Sequence, residues 1–307
     1  MTRNRIVIAG GSGFIGSALA EQLAARGDEV VILTRSPGPR GGAIREVKWD
    51  ARSVEDAWLC EVDGARAVVN LAGKNVNCRY TRRNLAEIDE SRINAVRVMA
   101  EAINRCANPP PVRIQASTTA IYGDAGERWC DESSPLGDGV AVATATKWED
   151  AFASHPTPRA RRVLLRISFV LGRNGGVLRM LATMTKWFLG GTVGNGRQYI
   201  TWVHIDDLCR VVARAIDDES MRGLYNVASP TPVPNAGFMR ELRRACRRPW
   251  SPPVPAWTVR IGCFILRTEP ILALTGRRAR AQRLADAGFT FEHQDLPKAL
   301  GTLLRSR

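Results

Sequence analysis

The sequence is poor in the residue types that most often build metal sites, disulfide frameworks and acid–base pairs. It has three His, four Tyr and seven Cys in 307 residues, and no Cys-x-x-Cys pair occurs. Scattered Cys of odd number predict neither a disulfide framework nor a metal site, so we expect no bound metal and a cytoplasmic location. The chain also lacks a signal-peptide pattern at its start and an apolar run long enough to span a bilayer. We therefore expect no membrane association.

Acidic residues are outnumbered, with 30 Asp and Glu against 44 Lys and Arg and a net charge of +14. The segment from Arg240 to the end carries 14 basic and 5 acidic residues, which places much of the excess there. Such a balance favours anionic ligands, but no nucleic-acid-binding motif accompanies it. We expect a small-molecule substrate, no nucleic-acid partner, and a monomer or homodimer.

The first half of the chain alternates short β-rich runs with longer helical patterns, which predicts an α/β fold of the Rossmann type with a doubly wound parallel sheet. Residues 1–172 are predicted to form the dinucleotide-binding domain. A further strand and helix from about 200–228 are expected to return to it. The rest of residues 173–307 is predicted to form mainly a smaller substrate lobe and a C-terminal domain.

A glycine-rich turn, "IAGGSGFIG", lies between the first strand and its helix and places Gly10, Gly13 and Gly16 there. Glycines at this point let the backbone approach a pyrophosphate, which then binds the N–H groups at the helix N-terminus. The strand–turn–helix context predicts a dinucleotide site. A turn without a ligand is the alternative.

The end of the second strand discriminates between the two nicotinamide cofactors. An acidic residue there binds the ribose 2′-hydroxyl of NAD, whereas a basic one accommodates the 2′-phosphate of NADP. This sequence has Thr34 and Arg35, with no carboxylate before Glu46. NADP(H) is therefore favoured over NAD(H), the alternative being an Arg35 that only faces solvent.

The spacing Gly-x-x-Gly-x-x-Gly, "NLAG" after the fourth strand and "STTAIYGD" after the fifth resemble the extended short-chain dehydrogenase/reductase superfamily. The phrases "SFVLGRNGGVL", "TWVHIDDL" and "RLADAGFTFEHQDLPKAL" narrow the match. Together they resemble an atypical NAD(P)-dependent epimerase/dehydratase-like family that carries its own C-terminal domain. The resemblance covers essentially the whole chain.

The resemblance implies cofactor-binding positions in three loops. The pyrophosphate loop would comprise Gly10, Gly13, Phe14, Ile15 and Gly16. Thr34 and Arg35 would lie at the adenosine ribose, and Asp50 would approach the adenine. Leu71, Ala72 and Gly73 would line the nicotinamide half.

The resemblance also implies a catalytic Ser or Thr at Thr118 and a Tyr-x-x-x-Lys motif ending at Lys147. In this motif the Lys binds the nicotinamide ribose and lowers the pKa of the Tyr so that it acts as the acid. Ala143 stands four residues before Lys147, so the Tyr is absent. Tyr122 is the first candidate for a replacement acid, and a structural Tyr is its alternative. Lys147 is predicted to bind the cofactor ribose or to act on substrate, its alternative being a solvated helix residue.

Predictions are also made for four further residues. Arg173 and Trp202 are expected to face the substrate cleft, where a phosphate-bearing substrate would suit them. His204 is predicted to be structural rather than catalytic, and Asp206 to be the N-cap of the following helix.

Two hypotheses about function follow. The first is an NADP(H)-dependent oxidoreductase or epimerase of a small carbonyl or hydroxyl compound, with nucleotide sugars among the candidates. The second is a non-catalytic NADP(H)-binding module that reports redox state to a partner. The retained Thr118 and Lys147 favour an enzyme, while the missing Tyr favours the module.

Overall fold

The central feature of the computed structural model, which describes residues 4–265 and 269–304, is a seven-stranded sheet. Its strands in chain order are β1 (Arg5–Ala9), β2 (Glu29–Thr34), β3 (Ile44–Lys48), β4 (Ala67–Asn70), β5 (Val112–Thr118), β7 (Arg161–Ile167) and β11 (Gly223–Val227). Six short strands lie outside it: β6 (Trp129–Cys130), β8 (Phe169–Leu171), β9 (Tyr199–Ile200), β10 (Trp202–His204), β12 (Val233–Pro234) and β13 (Arg278–Ala279).

The large sheet has the order β11-β7-β5-β4-β1-β2-β3, and every neighbouring pair in it is parallel. Three of its inner strands, β1, β2 and β4, consist mainly of buried Val, Ile, Leu and Ala, as expected where helices cover both faces. Chain order reverses between β1 and β4. Open sheets of this kind bind ligands at the carboxyl ends of the strands beside such a reversal. The predicted fold class is confirmed.

Eleven α-helices are found among the described residues: α1 (Phe14–Ala25), α2 (Asp56–Val62), α3 (Arg82–Arg105), α4 (Val140–Ser154), α5 (Gly176–Lys186), α6 (Ile205–Asp217), α7 (Asn235–Ala245), α8 (Ala256–Ile265), α9 (Ile271–Leu274), α10 (Gln282–Asp286) and α11 (Leu296–Leu304). Helix α1 packs against α6, while α3 packs against both α2 and α4. Helices α5, α7 and α11 form a second core with β8 and β10. None of the helices of the described segments combines the length and apolar composition needed to cross a bilayer.

The apolar run "RRVLLRISFVLG" forms two strands, β7 and β8. At Ser168 the chain changes its hydrogen-bond partner, since the N–H of Ser168 binds the carbonyl of Val227 and the N–H of Phe169 binds that of Thr201. The chain thus leaves β7, in the large sheet, and continues as β8, which pairs with β10. This switch is where the second core begins.

Candidate cofactor and substrate site

The turn between β1 and α1 is built for close backbone approach. Gly10 has φ +76°, and a Cβ on it would lie 2.9 Å from the backbone of Ala72. A Cβ on Gly16 would lie 2.5 Å from the Cα of Gly11. Gly13 is the N-cap of α1, and no side chain caps the helix. The first N–H groups of α1 are thus available to an anion, as a bound pyrophosphate requires.

The aromatic ring of Phe14, the first residue of α1, is enclosed by the loop between β8 and α5. A Cβ on Gly172, Gly175 or Gly176 would lie 2.6–2.8 Å from an atom of that ring. Glycines in this loop therefore let it pack directly on the dinucleotide turn. The same loop contains Arg173, whose Nη2 donates to the carbonyl of Thr302 in α11 at 2.9 Å. A substrate-binding role for Arg173 stays a prediction.

At the end of β2, Arg35 follows Thr34, whose hydroxyl contacts that of Ser12. The hydroxyls of Ser12 and Thr34 are 3.1 Å apart, and Arg35 is exposed. Within the described part of the chain, Arg35 makes no ion pair or hydrogen bond, whereas Arg40 binds Glu46 at 2.7 Å. Arg35 is thus available to a ligand next to the dinucleotide turn.

Asp50 lies in the turn after β3, and its carboxylate is held by its own turn. It accepts from the N–H groups of Arg52 at 2.7 Å and Ser53 at 3.0 Å. The Ser53 N–H contributes most to holding the pKa of Asp50 below its usual range. Its proximity to an adenine stays a prediction.

The loop after β4 is fixed by hydrogen bonds beneath it. Asn70 donates to Gln115 of β5 at 2.9 Å, and its Oδ1 accepts from the N–H of Ala72 at 3.1 Å. A Cβ on Gly73 would lie 3.2 Å from the side chain of Arg92 in α3. Burial lowers the pKa of Arg92, whose guanidinium also stacks over Trp148.

Thr118 is the last residue of β5, and its Oγ1 accepts from the N–H of Ala120 at 3.1 Å. That bond uses a lone pair and leaves the hydroxyl proton available to an oxygen of a ligand. The adjacent Ser117 donates to Glu149 of α4 at 2.6 Å.

Tyr122 is completely buried, and its hydroxyl is part of a polar network. The oxygen lies 2.8 Å from the carbonyl of Asp131 and 2.9 Å from Oδ1 of Asn226, and it accepts from Arg166 at 3.1 Å. Burial raises the pKa of this phenol. The geometry favours the structural alternative, because an enclosed hydroxyl with these partners is not free to donate to a substrate.

Helix α4 turns two different faces to its surroundings. Glu149 accepts from Arg166 of β7 at 2.7 and 2.8 Å as well as from Ser117 of β5. Two residues along a helix are separated by about 200°, and Lys147 accordingly projects away from β5. Its Nζ binds Asp89 of α3 at 2.6 Å. A role for Lys147 in binding the cofactor ribose or in acting on substrate stays a prediction.

The alanines of α4 lie on both of these faces. Ala143 is exposed and lies one turn before Lys147, whereas Ala145 and Ala141 lie one and two turns before Glu149. The helix face that carries Glu149 thus presents methyl groups, and no acid, at the two preceding turns. Sequence reasoning missed the Asp89 and Glu149 contacts because single residues in a sequence do not show how a helix is rotated on its sheet.

The prediction that Trp202 faces the cleft is wrong. Its side chain is completely buried in the second core, and its Nε1 donates to the carbonyl of Thr231 at 2.9 Å.

The prediction that Asp206 is the N-cap of α6 is wrong by two residues. His204 caps α6, since its Nδ1 accepts from the N–H of Asp206 at 3.2 Å. The Asp206 carboxylate instead accepts from Gln22 of α1 at 2.8 Å. The His204 ring stacks on His293 from the C-terminal segment at 3.7 Å.

The same three residues, His204, Asp206 and His293, bring possible metal-ligand atoms within 4.8 Å of one another. The two imidazoles are stacked, with an interplanar angle of 22°. Lone pairs lie in the ring planes, so those of stacked rings do not converge on one ion. The contacts define a packed junction between α6 and the C-terminal segment.

The dinucleotide turn, the parallel sheet and the loops at its carboxyl edge define a nicotinamide-dinucleotide-binding protein of the extended short-chain dehydrogenase type. The family model described as the NAD dependent epimerase/dehydratase family matches residues 6–228, and the chain belongs to this family. A second model, a domain of unknown function designated DUF1731, matches residues 254–303.

Relatives resemble the chain over its whole length. Epimerase family protein SDR39U1 of Bos taurus is 34% identical over 301 residues, which cover 96% of this chain and 98% of that protein. The crystal structure of human SDR39U1 (isoform2) with NADPH superposes with a TM-score of 0.86 at 30% identity, covering 98% and 99% of the two chains. The UDP-glucose 4-epimerase of Thermus thermophilus in complex with NAD shares the fold, with a TM-score of 0.77 at 21% identity over 98% of each chain.

Proposed function

We propose that this protein is an NADP(H)-dependent oxidoreductase or epimerase that acts on a carbonyl or hydroxyl group of a small molecule. The observation that carries the proposal is Arg35, an exposed cation at the end of β2 without a protein partner among the described residues. A 2′-phosphate is the dianion that distinguishes NADP from NAD, and an arginine at this position suits it. The NADPH in the human relative supports this preference.

The bound cofactor would supply or accept the hydride. The chain's own contribution begins with the N-terminus of α1, whose free N–H groups would bind the pyrophosphate. Gly73, pressed against Arg92, would line the nicotinamide half, and the Thr118 hydroxyl would donate a hydrogen bond to the substrate oxygen. With Lys147 bound to Asp89 and Tyr122 enclosed, we assign the proton to solvent held at the Thr118 hydroxyl.

Titration of NADPH and NADH, followed by intrinsic fluorescence, tests the cofactor preference. We expect Arg35→Gln to weaken NADPH binding about 10–100-fold, the equivalent of one charge-assisted hydrogen-bonded contact, with little effect on NADH. Arg40→Gln is the matched control, because Arg40 is already bound by Glu46. Tighter binding of NADH than NADPH by the unchanged protein would overturn the assignment.

A non-catalytic NADP(H)-binding module is the second candidate. It is favoured by the enclosure of Tyr122, the methyl groups on the Glu149 face of α4 and the contact between Lys147 and Asp89. The two candidates differ in the effect of Thr118→Val on NADPH oxidation with a panel of carbonyl compounds. An enzyme would lose turnover while NADPH binding persisted, whereas a module would show no turnover even before the substitution.

A further inference from the structure

Described residues of the segment after α7 contact loops at the edge of the sheet at which a cofactor would bind. At one end, Arg79 donates to the carbonyl of Phe264 at 2.8 Å, and the N–H of Tyr80 donates to Glu269 at 2.6 Å. At the other end, the N–H of Gly276 donates to Asp124 at 3.1 Å. Arg79 and Tyr80 belong to the loop after β4, and Asp124 follows the carboxyl end of β5. Described residues on both sides of positions 266–268 thus contact the loops that follow β4 and β5.

Helix α8, in the first part of this segment, has an apolar face that is largely exposed. Trp257, Ile261 and Phe264 are exposed by 64%, 53% and 69%. Their spacing of four and three residues places them on one side of the helix. The guanidinium of Arg79 lies 4.2 Å from the centre of the Phe264 ring. Through Phe264 the apolar face thus adjoins the loop after β4, which follows a strand at the cofactor edge.

The two cations of the loop after β4, Arg79 and Lys74, are engaged by the protein itself. Arg79 is bound to the Phe264 backbone, and Lys74 binds Asn84 and Glu87. A diphosphate beside α8 would have to displace these partners, because phosphate recognition depends on available cations and N–H donors. An alkyl or aromatic group needs no such donors and gains by removing apolar surface from water.

We propose that the face formed by Trp257, Ile261 and Phe264 binds the apolar body of the substrate, which is a carbonyl compound, or the corresponding alcohol, with an alkyl or aromatic chain. The inference rests on the proposed function and names its substrate class. In the reductive direction the carbonyl carbon gains a hydride from NADPH and its oxygen gains a proton from solvent. The products are the alcohol and NADP⁺, so atoms and electrons balance.

Straight-chain aldehydes from butanal to decanal, given to the whole protein with saturating NADPH, provide the test. Binding is measured by fluorescence quenching and turnover by NADPH oxidation, so each has its own readout. We expect binding to tighten about threefold with each methylene until the face is covered. Trp257→Ser and Ile261→Ser are each expected to weaken decanal binding about tenfold. Trp187→Ser, which removes an exposed Trp at the end of α5, is the control and should leave decanal binding unchanged.

The outcomes separate this inference from the proposed function. Binding that does not depend on chain length, or displacement of decanal by UDP-glucose, would overturn the substrate class while NADPH binding and turnover stand. Failure to bind NADPH would overturn the proposed function itself. Loss of vesicle binding, or of self-association, in the Trp257→Ser variant would assign the face to a membrane or a second copy and would also overturn the inference.

Discussion

At the scale of single residues, Tyr122 shows how a plausible acid is occupied by structural contacts. Its hydroxyl joins the loop around Asp131 to Asn226 of β11 and to Arg166 of β7. The hydrogen bonds of the Tyr122 hydroxyl therefore connect three chain segments. A phenol in this position stabilises the edge of the sheet that a ligand would occupy.

Replacing Tyr122 by Phe tests this role. The Asn226 oxygen and one Arg166 donor would lose a buried partner, so we expect the free energy of unfolding to fall by about 1–3 kcal/mol. Urea unfolding measures the loss, and NADPH titration should show little change. Tyr199→Phe is the control, because the Tyr199 hydroxyl makes no hydrogen bond within the described segments. A stable Tyr122→Phe protein that binds NADPH but has lost turnover would instead identify Tyr122 as the acid.

At the scale of elements, helix α4 joins the sheet through Glu149 and α3 through Lys147 and Thr144. The Glu149–Arg166 pair is largely buried, with side chains 14% and 7% exposed, whereas the Lys147 side chain is 58% exposed. Buried and exposed ion pairs respond differently to the loss of one partner. The face of α4 that carries Glu149 is thus expected to contribute more to the free energy of unfolding than the face that carries Lys147.

This inequality predicts different results for two substitutions in α4. Glu149→Gln leaves the Arg166 charge buried without its counter-ion and should lower the free energy of unfolding by about 3–5 kcal/mol. Lys147→Met should change it by less than about 1 kcal/mol. Thermal or urea unfolding of both variants gives the comparison. Equal losses, or a Lys147→Met protein that no longer binds NADPH, would contradict the contact of Lys147 with Asp89 of α3.

Sequence patterns predicted the elements of this fold better than the directions of its side chains. The strand–glycine turn–helix unit depends on local spacing, which the chain shows directly. The rotation of α4 depends on how Trp148 packs on its neighbours, so Lys147 and Glu149 could not be assigned to their partners in advance. Trp202 was misplaced for a similar reason, since a neighbouring core, and not local composition, decides that it is buried.

At the scale of the whole molecule, the stacked His204 and His293 join the Rossmann half to the C-terminal segment. Burial, and then the neighbouring His293, lower the pKa of His204 to about 4. Asp206 and Asp207 oppose this shift. Asp207 also accepts from the N–H groups of Glu292 and His293. The junction is therefore most stable with a neutral His204 beside anionic carboxylates.

A pH dependence follows from this depressed pKa. Since an unfolded His titrates near 6.5, the unfolded state binds more protons than the folded state between that pH and about 4. Stability should thus be complete above about pH 6.5 and fall as the pH drops toward 4, which urea unfolding at several pH values measures. His204→Asn keeps an acceptor for the Asp206 N–H and should flatten this slope, whereas His155→Asn should not. Identical slopes in all three proteins would disprove the assignment.

The enclosure of Phe14 by Gly172, Gly175 and Gly176 has a consequence for how damage spreads through the protein. The Phe14 ring, on the first residue of α1, packs closely against the loop before α5. An added methyl group on a glycine of that loop would clash with the ring. A defect in the distant loop is thereby transmitted to the dinucleotide turn. Alanine at Gly175 would therefore act as a mutation of the nucleotide site, although Gly175 lies some 160 residues along the chain from it.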